Sequence, residues 1–429
     1  MRAPTHNRRS FLMHTGAAVA AASTLELGSV AHAAGSDILK IGLVGCGGRG
    51  TGAAEQALAA DSQVKLVAMG DAFPDSLESS LSALKSSAHA DRVDVPQDRR
   101  FVGFDAYRNV IDQVDVVLLT TPPHFRPLHL EYAVEKGIHA FVEKPVATDA
   151  PGVRKVIALC EAARKKNIAL VSGLCWRYFD PRREAIKRVK DGQIGDVVSI
   201  ETTYDSAGVW EPRKTRAEVG SDMEYQLRNW YYYCWLSGDH IVEQAVHGLD
   251  TMAWVMNDEP PLKCWGVGGR QSRIEPQYGD IYDHFSLVYE YPKDVRGYHQ
   301  CKHWRGTDVR VRDYVLGSKG TCDVFGDQNN FPRITGATPW RYRGAKADMY
   351  QTEHNEMFAS IRAGKPINNG IYAARSTLLA IMGRMAAYTG QVITWDMALN
   401  STENLSPAKY GWGDAPKVVV SRPGTTKFV

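Results

Sequence analysis

Six residues near the start of the chain, Gly45-Cys46-Gly47-Gly48-Arg49-Gly50, carry the first spacing that dictates a chemistry. Set between a strand and a helix, G-x-G-x-x-G grips the pyrophosphate of a dinucleotide. Gly45 permits the tight turn, Gly47 lets the backbone approach the phosphates, and Gly50 lets the helix pack close on the strand. Gly48 and Arg49 open the helix, whose free N–H groups and dipole favour an anion. Asp71 stands 21 residues beyond Gly50. It is suited to accept from a ribose 2′-OH and to repel a 2′-phosphate, which favours NAD over NADP. The same pattern also occurs as a glycine-rich surface turn. Context separates the two readings: an apolar run at 38–44 precedes the loop, an alanine-rich segment at 51–60 follows it, and a second apolar run at 64–69 leads into Asp71.

Two further groups sit where strands are expected to end. The run 115–120 is apolar without alternation, as in a buried parallel strand, and delivers Thr121-Pro122-Pro123-His124. The run 139–142 delivers Glu143-Lys144-Pro145. Helices predicted at 127–136 and 151–166, with a further strand at 168–171, give alternating strands and helices. The expected fold class is therefore α/β, with an N-terminal doubly wound parallel sheet. Ligands bind such sheets at the carboxyl ends of the strands, so Asp71, Thr121, Pro122, His124, Glu143 and Lys144 are expected to line one crevice. His124 has two readings, a substrate contact or a loop cap.

From residue 197 the texture changes. The segments 197–204, 283–291, 297–303 and 309–316 read as longer strands separated by Gly, Pro and Asp turns. They predict a C-terminal α+β domain with a large, mostly antiparallel open sheet. A helical stretch is expected at 238–256, and late helices at 350–362 and 374–388. Between the first two strands lies an aromatic insertion holding Trp210, Arg228, Asn229, Trp230, Tyr231, Tyr232, Tyr233 and Trp235. Aromatic faces with interspersed hydrogen-bonding groups suit a sugar, whose C–H faces are apolar and whose hydroxyls need partners. Trp210, Arg228, Asn229, Trp230 and Tyr231, with Asp283 further on, are candidate substrate contacts; aromatics in a large domain also serve as core. Asp239, His240 and His284 are candidates of the same kind. No H-E-x-x-H or comparable spacing gathers them into a metal site, and no metal is expected.

At 429 residues and 44 % hydrophobic content, the chain is long enough for about two to three domains. A formal charge of +3 without a long run of like charge argues against a nucleic-acid surface. No apolar stretch reaches the roughly 18 residues a membrane span needs. Arg8-Arg9-Ser10-Phe11-Leu12 precedes an alanine-rich stretch that ends in Ala31-His32-Ala33. That reads as a twin-arginine leader with a small-residue cleavage site, or as a basic leader that stays attached. The expected partition is a leader at 1–33, a nucleotide-binding domain at 34–175 and a substrate-binding and oligomerisation domain at 176–429, in a protein that is periplasmic or otherwise exported through the twin-arginine pathway. Seven scattered cysteines without C-x-x-C spacing give no disulfide framework.

Together the glycine loop, Thr121-Pro122-Pro123-His124, Glu143-Lys144-Pro145 and Glu243-x-x-x-His247-Gly-Leu-Asp250 resemble the Gfo/Idh/MocA oxidoreductases over about 38–395. The resemblance implies a Rossmann domain joined to an open-sheet domain that often builds a homo-oligomer interface. It also implies action on a sugar or polyol with NAD or NADP. Carried over residue by residue, Lys144 takes the place of the lysine that contacts the reacting hydroxyl and the nicotinamide ribose, where a cation stabilises a developing alkoxide. His247 takes the place of the general base. The family commonly has an aspartate one helical turn before that histidine, on the same face. Here it is Glu243, which is expected to orient His247 or to hold a substrate hydroxyl. Three activities stay open: sugar oxidation with a tightly bound, internally recycled cofactor, an NAD-dependent glycosidase or lyase working by transient oxidation, or a sugar-binding protein with structural NAD.

Overall fold

Ile41 and Leu43 are fully buried in the strand that leads into the glycine loop, and the first sheet is built outward from it. In the computed structural model, which describes residues 37–208, 210–326 and 331–429, that sheet has six parallel strands. They are β1 (Leu39–Val44), β2 (Val64–Asp71), β3 (Arg100–Val102), β4 (Val116–Leu119), β5 (His139–Val142) and β6 (Leu170–Ser172). Their order is β3-β2-β1-β4-β5-β6. Chain order reverses between β1 and β4, so a crevice opens at their carboxyl ends. The helices between them are α1 (Gly48–Ala60), α2 (Pro74–Lys85), α3 (Ala106–Ile111), α4 (Arg126–Lys136) and α5 (Ala150–Lys165). The twin-arginine pattern and Ala31-His32-Ala33 lie outside the described residues.

The second sheet has nine strands in the order β14-β13-β12-β11-β7-β10-β9-β8-β15. They are β7 (Val197–Ser206), β8 (Lys263–Gly269), β9 (His284–Glu290), β10 (Arg296–His303), β11 (Arg310–Gly317), β12 (Gly320–Asp323), β13 (Arg333–Gly336), β14 (Trp340–Arg341) and β15 (Ile393–Thr394). The central pair β7 and β10 runs parallel and the other pairs are antiparallel. The sequence pattern did not reveal β8, whose glycines at 266, 268 and 269 blunt the alternation.

Helices α6 (Asp180–Lys190), α7 (Asp222–Arg228), α8 (Cys234–Ser237), α9 (His240–Glu243), α10 (Val246–Val255), α11 (Met349–Arg362), α12 (Gly370–Thr389) and α13 (Trp395–Asn400) complete the fold. The stretch expected as one helix over 238–256 is broken. Gly238 is left-handed at φ 79° and Asp239 follows at φ 78°, and α9 ends at Glu243 before α10 begins. Helix α12 is buried on nearly every side and packs on β8, α5, α10 and α9. A fully buried helix reads as apolar all round, yet α12 carries Arg384. Its two terminal nitrogens donate to the carbonyls of Thr148 and Gly238 and to Glu403, while Nε is buried without a partner among the described residues. All seven cysteines are buried and free.

Candidate functional site

Helix α1 starts at the glycine loop with Gly47 as its N-cap, and neither a side-chain cap nor an acid occupies the first turn. Its first N–H groups are thus left for a ligand. A Cβ on Gly50 would lie 2.0 Å from the Gly45 carbonyl oxygen and 2.6 Å from Thr120 Oγ1. That close packing admits only glycine. On Gly47 or Gly48 a Cβ would meet nothing within 4 Å, because both face a cleft of ≈ 650 Å³. A volume of that size accepts a small-molecule ligand or cofactor. With the free helix end and the two open glycines, the site fits a dinucleotide.

Asp71 lines the same cleft. Its Oδ2 accepts from the Cys46 N–H at 2.6 Å and its Oδ1 from the Phe73 N–H at 2.9 Å. The acid therefore ties the loop to the end of β2, and each oxygen keeps a further lone pair. Burial, foremost, pushes its carboxyl above the usual range. Arg49 turns its guanidinium to Glu143, at 3.2 Å, and lies over the Tyr350 ring. Glu143 also accepts from the Lys144 N–H at 3.0 Å. A Cβ on Gly173 would meet Glu143 Oε2 at 2.6 Å, so that glycine makes room for the carboxylate.

Lys144, Glu243 and His247 line the same cleft. The Lys144 ammonium donates to the Glu243 carbonyl at 2.5 Å and to its carboxylate at 3.4 Å, leaving one of its three N–H bonds free of those partners. Both side chains are nearly buried, at 13 % and 11 % exposure. Among the described residues no hydrogen bond joins Glu243 to His247. The break between α9 and α10 turns the acid toward Lys144 instead, so the glutamate orients the lysine. His247 stacks on Trp176 with centroids 4.8 Å apart, and Trp176 carries the Arg182 guanidinium 3.8 Å from its ring. Burial first, then Lys144 and Arg182, holds the His247 imidazole well below its ordinary range and keeps it neutral. Its Nδ1 is buried with no partner among the described residues.

The structure spreads the remaining candidates over several places. Thr121 and Pro122 line the cleft, with the Thr121 hydroxyl 3.3 Å from His129 Nδ1. His124 lies outside the lining: its Nε2 pairs with the Tyr410 hydroxyl at 2.8 Å, and burial brings its pKa down to about 4. Trp210 and Trp230 line the cleft with centroids 5.8 Å apart. Arg228 also reaches it, but at the end near Asp71. There it pairs with Asp75 at 2.9 Å and lies over Phe73. Asn229 is fully buried, with its amide spent on the backbone of residues 213 and 214. Tyr231 is buried among Trp210, Trp230 and Tyr232. Asp283 accepts from three successive N–H groups, those of Gln271, Ser272 and Arg273, and from His284. It braces a loop, and hydrogen bonds hold its carboxyl well below the usual range despite burial. None of these three lines the cleft.

Residues the sequence reading passed over also line it. Arg126 is 4 % exposed and donates to the carbonyls of Thr121 and Pro145 at 2.9 and 2.6 Å. It bolts the Thr121 turn to the Lys144 turn. Burial brings its pKa down to about 10, against the pull of Glu143 and Glu243. His129, stacked on Tyr107, and Tyr350 of α11 complete this wall. Arg126 and His129 act through contacts 5 to 22 residues away that follow no motif, and Tyr350 meets Arg49 from the far end of the chain.

Residues 39–173 match a family model described as "Oxidoreductase family, NAD-binding Rossmann fold", and residues 183–323 match "GFO/IDH/MocA C-terminal domain". Among curated relatives, a 2,7-anhydro-N-acetylneuraminate hydratase of Escherichia coli (strain K12) is 24 % identical over 213 residues, 49 % of this chain and 51 % of that protein. A glycosyl hydrolase family 109 protein of Shewanella sp. (strain W3-18-1) is 25 % identical over 278 residues, 59 % and 56 % of the two chains. The chain thus spans about half the length of the curated relatives it matches. Aldose-aldose oxidoreductase from Caulobacter crescentus shares the fold with a TM-score of 0.65 at 20 % identity, over 83 % of this chain and 99 % of that one. A levoglucosan dehydrogenase does so with 0.65 at 16 %, over 83 % and 99 %.

Proposed function

Because the chain belongs to the Gfo/Idh/MocA oxidoreductase family, we propose that it is an NAD-dependent enzyme acting on a hydroxyl of a sugar or polyol. The observation that carries this is the shared cleft: Gly47 and Gly48 line one stretch of it, and Lys144 and His247 another. Bound there, NAD supplies a hydride acceptor. Lys144, fixed by Glu243, keeps an N–H for the substrate oxygen and stabilises negative charge developing on it. His247 is neutral and held in plane by Trp176. With Nδ1 buried, Nε2 is the nitrogen left to take the hydroxyl proton. Trp210 and Trp230 offer apolar faces to a sugar ring. The test is His247→Ala: the variant retains NAD and loses turnover, and turnover at the wild-type rate removes His247 from the base role.

The hydratase and family 109 relatives favour a second reading, in which oxidation is transient. His247 takes the hydroxyl proton as the hydride passes to bound NAD, and loss of the C–H proton beside the resulting carbonyl expels the leaving group from the next carbon. Water then adds across the double bond, and return of the hydride to the carbonyl restores the oxidised nucleotide. Incubation with aryl glycosides separates the two readings. Aglycone release without net nicotinamide reduction supports the cycle, and net reduction without aglycone supports simple oxidation.

Asp71 favours NAD over NADP, which competitive binding of the two nucleotides checks. The Arg8-Arg9 leader supports export of the folded, loaded chain, and cell fractionation tests it. The open face of the nine-stranded sheet supports a homo-oligomer. In register across it lie Tyr314, Glu201, Tyr298, Val288 and Trp265, and Tyr298 and Tyr314 are exposed. Tyr298→Arg is expected to lower the mass measured by light scattering.

A further inference from the structure

Residues 401–429 contain no helix or strand, yet side chains from both halves of the fold hold them. Glu403 pairs with the buried Arg384, and the Leu405 N–H donates to Asp149 at 3.0 Å. The Gly413 carbonyl accepts from the Met223 N–H of α7 at 2.9 Å, and the Pro416 carbonyl from Gln226 at 2.9 Å. Between these anchors the tail packs two aromatic rings behind the wall of the cleft, whose lining includes neither of them. Trp412 lies 5.5 Å from Phe73 and 5.0 Å from Phe104, centroid to centroid. Tyr410 lies 5.8 Å from Phe125 and bonds His124. Phe73, Phe104 and Phe125 all line the cleft, and Phe73 is tied by its N–H to Asp71.

Trp412 remains 51 % exposed and Tyr410 38 %, so neither serves as core. Their apolar contacts go to rings that form the cleft wall. Phe73 also receives the Arg228 guanidinium 4.0 Å from its ring, so the insertion and the tail converge on the same side chain. The tail lies beyond residue 323, where the family-model match ends.

We propose that the segment 409–413 is a latch on the adenosine end of the nucleotide site: Trp412 and Tyr410 fix the aromatic wall, and the dinucleotide leaves only when the tail lifts. The inference rests on the nucleotide-binding reading above and adds to it the means of retention. Slow release is what a cycle with an internally recycled cofactor requires.

The test uses the full chain, loaded with NAD and chased with an excess of isotopically labelled NAD. Trp412→Ala is expected to exchange roughly tenfold faster or more, the worth of one to two aromatic pairs, while Trp412→Phe stays near the wild-type rate. In parallel, hydrogen exchange across 405–416 is expected to slow when NAD binds, a readout that needs no variant to fold. Wild-type exchange rates in Trp412→Ala, or tail protection indifferent to NAD, overturn the latch alone. A wild-type chain that neither carries nor takes up NAD overturns the nucleotide reading and the latch with it.

Discussion

Replacing Lys144 by Met keeps the volume of the side chain and removes its charge, with consequences that separate catalysis from stability. At 3.4 Å from Glu243 Oε1, the ion pair has a Coulomb energy of about 5 kcal/mol at an effective permittivity of about 20. The net effect of stranding a nearly buried carboxylate is about 3–5 kcal/mol. At about 2.1 cal/mol/K of unfolding entropy per residue, a chain of 429 residues shifts Tm by only about 1 °C per kcal/mol, so Lys144→Met is expected to melt roughly 3–6 °C lower. Neutralising the stranded acid as well, in Lys144→Met/Glu243→Gln, is expected to restore most of that loss. Activity follows a different pattern. Loss of a preorganised group facing the developing alkoxide costs roughly 10²–10³ in kcat, and both variants are expected to show it with NAD still bound. NMR titration adds a third readout. Lys144 helps to depress the His247 imidazole, so its pKa rises in the variant yet stays below the ordinary value, because burial, the larger cause, remains. Turnover within tenfold of wild type in the single variant would refute the role given to Lys144. Failure of the double variant to recover Tm would refute the coupling to Glu243.

Two further predictions follow from geometry and charge. Gly50→Ala forces a Cβ to within 2.0 Å of the Gly45 carbonyl and is expected to lower both Tm and NAD affinity. Gly47→Ala points its Cβ into open cleft and is expected to lower NAD affinity alone; isothermal titration with melting curves on both variants checks the contrast. Burial, the largest cause in each case, brings the pKa of His124 down to about 4 and those of His129, His299 and His354 down to about 3. The unfolded chain therefore binds more protons than the folded one below about pH 6.5. Stability is full above that pH and falls toward pH 4, by up to roughly 1.4 kcal/mol per pH unit for each imidazole. His247 and His303, also lowered by burial, act in the same direction, whereas Asp280, pushed up to about 7 by burial, and Glu353, Asp71, Asp205 and Asp313, raised by burial as well, oppose them. A Tm that is flat between pH 7.5 and 5 contradicts this assignment.

Much of the fold was legible because its signals are local. The strand, glycine loop, helix and acid from 38 to 71 follow one another within a single βαβ unit, and the buried runs 116–119 and 139–142 end where the functional turns begin. Period-2 strands in the second sheet could be read for the same reason. What escaped the sequence depends on distant partners or backbone conformation. The spacing of Glu243 and His247 suggested one helical face, but the left-handed turn at Gly238 and Asp239 and the break after Glu243 send that acid to Lys144, 99 residues away. Asn229 and Asp283 look like ligand-binding side chains in sequence, yet each is consumed by successive backbone N–H groups of a nearby loop. Trp176 lay in a stretch with no motif, and Arg126 just past the Thr121 to His124 turn, where no spacing marked it.

The most direct measurement is a crystal structure of the full chain with NAD bound. The diphosphate is expected on the N–H groups at Gly47 to Arg49, the adenosine ribose at Asp71, and the nicotinamide ring between Lys144 Nζ and the His247 imidazole. A nucleotide seated elsewhere, or a nicotinamide turned away from either side chain, would contradict the mechanism assigned to this cleft.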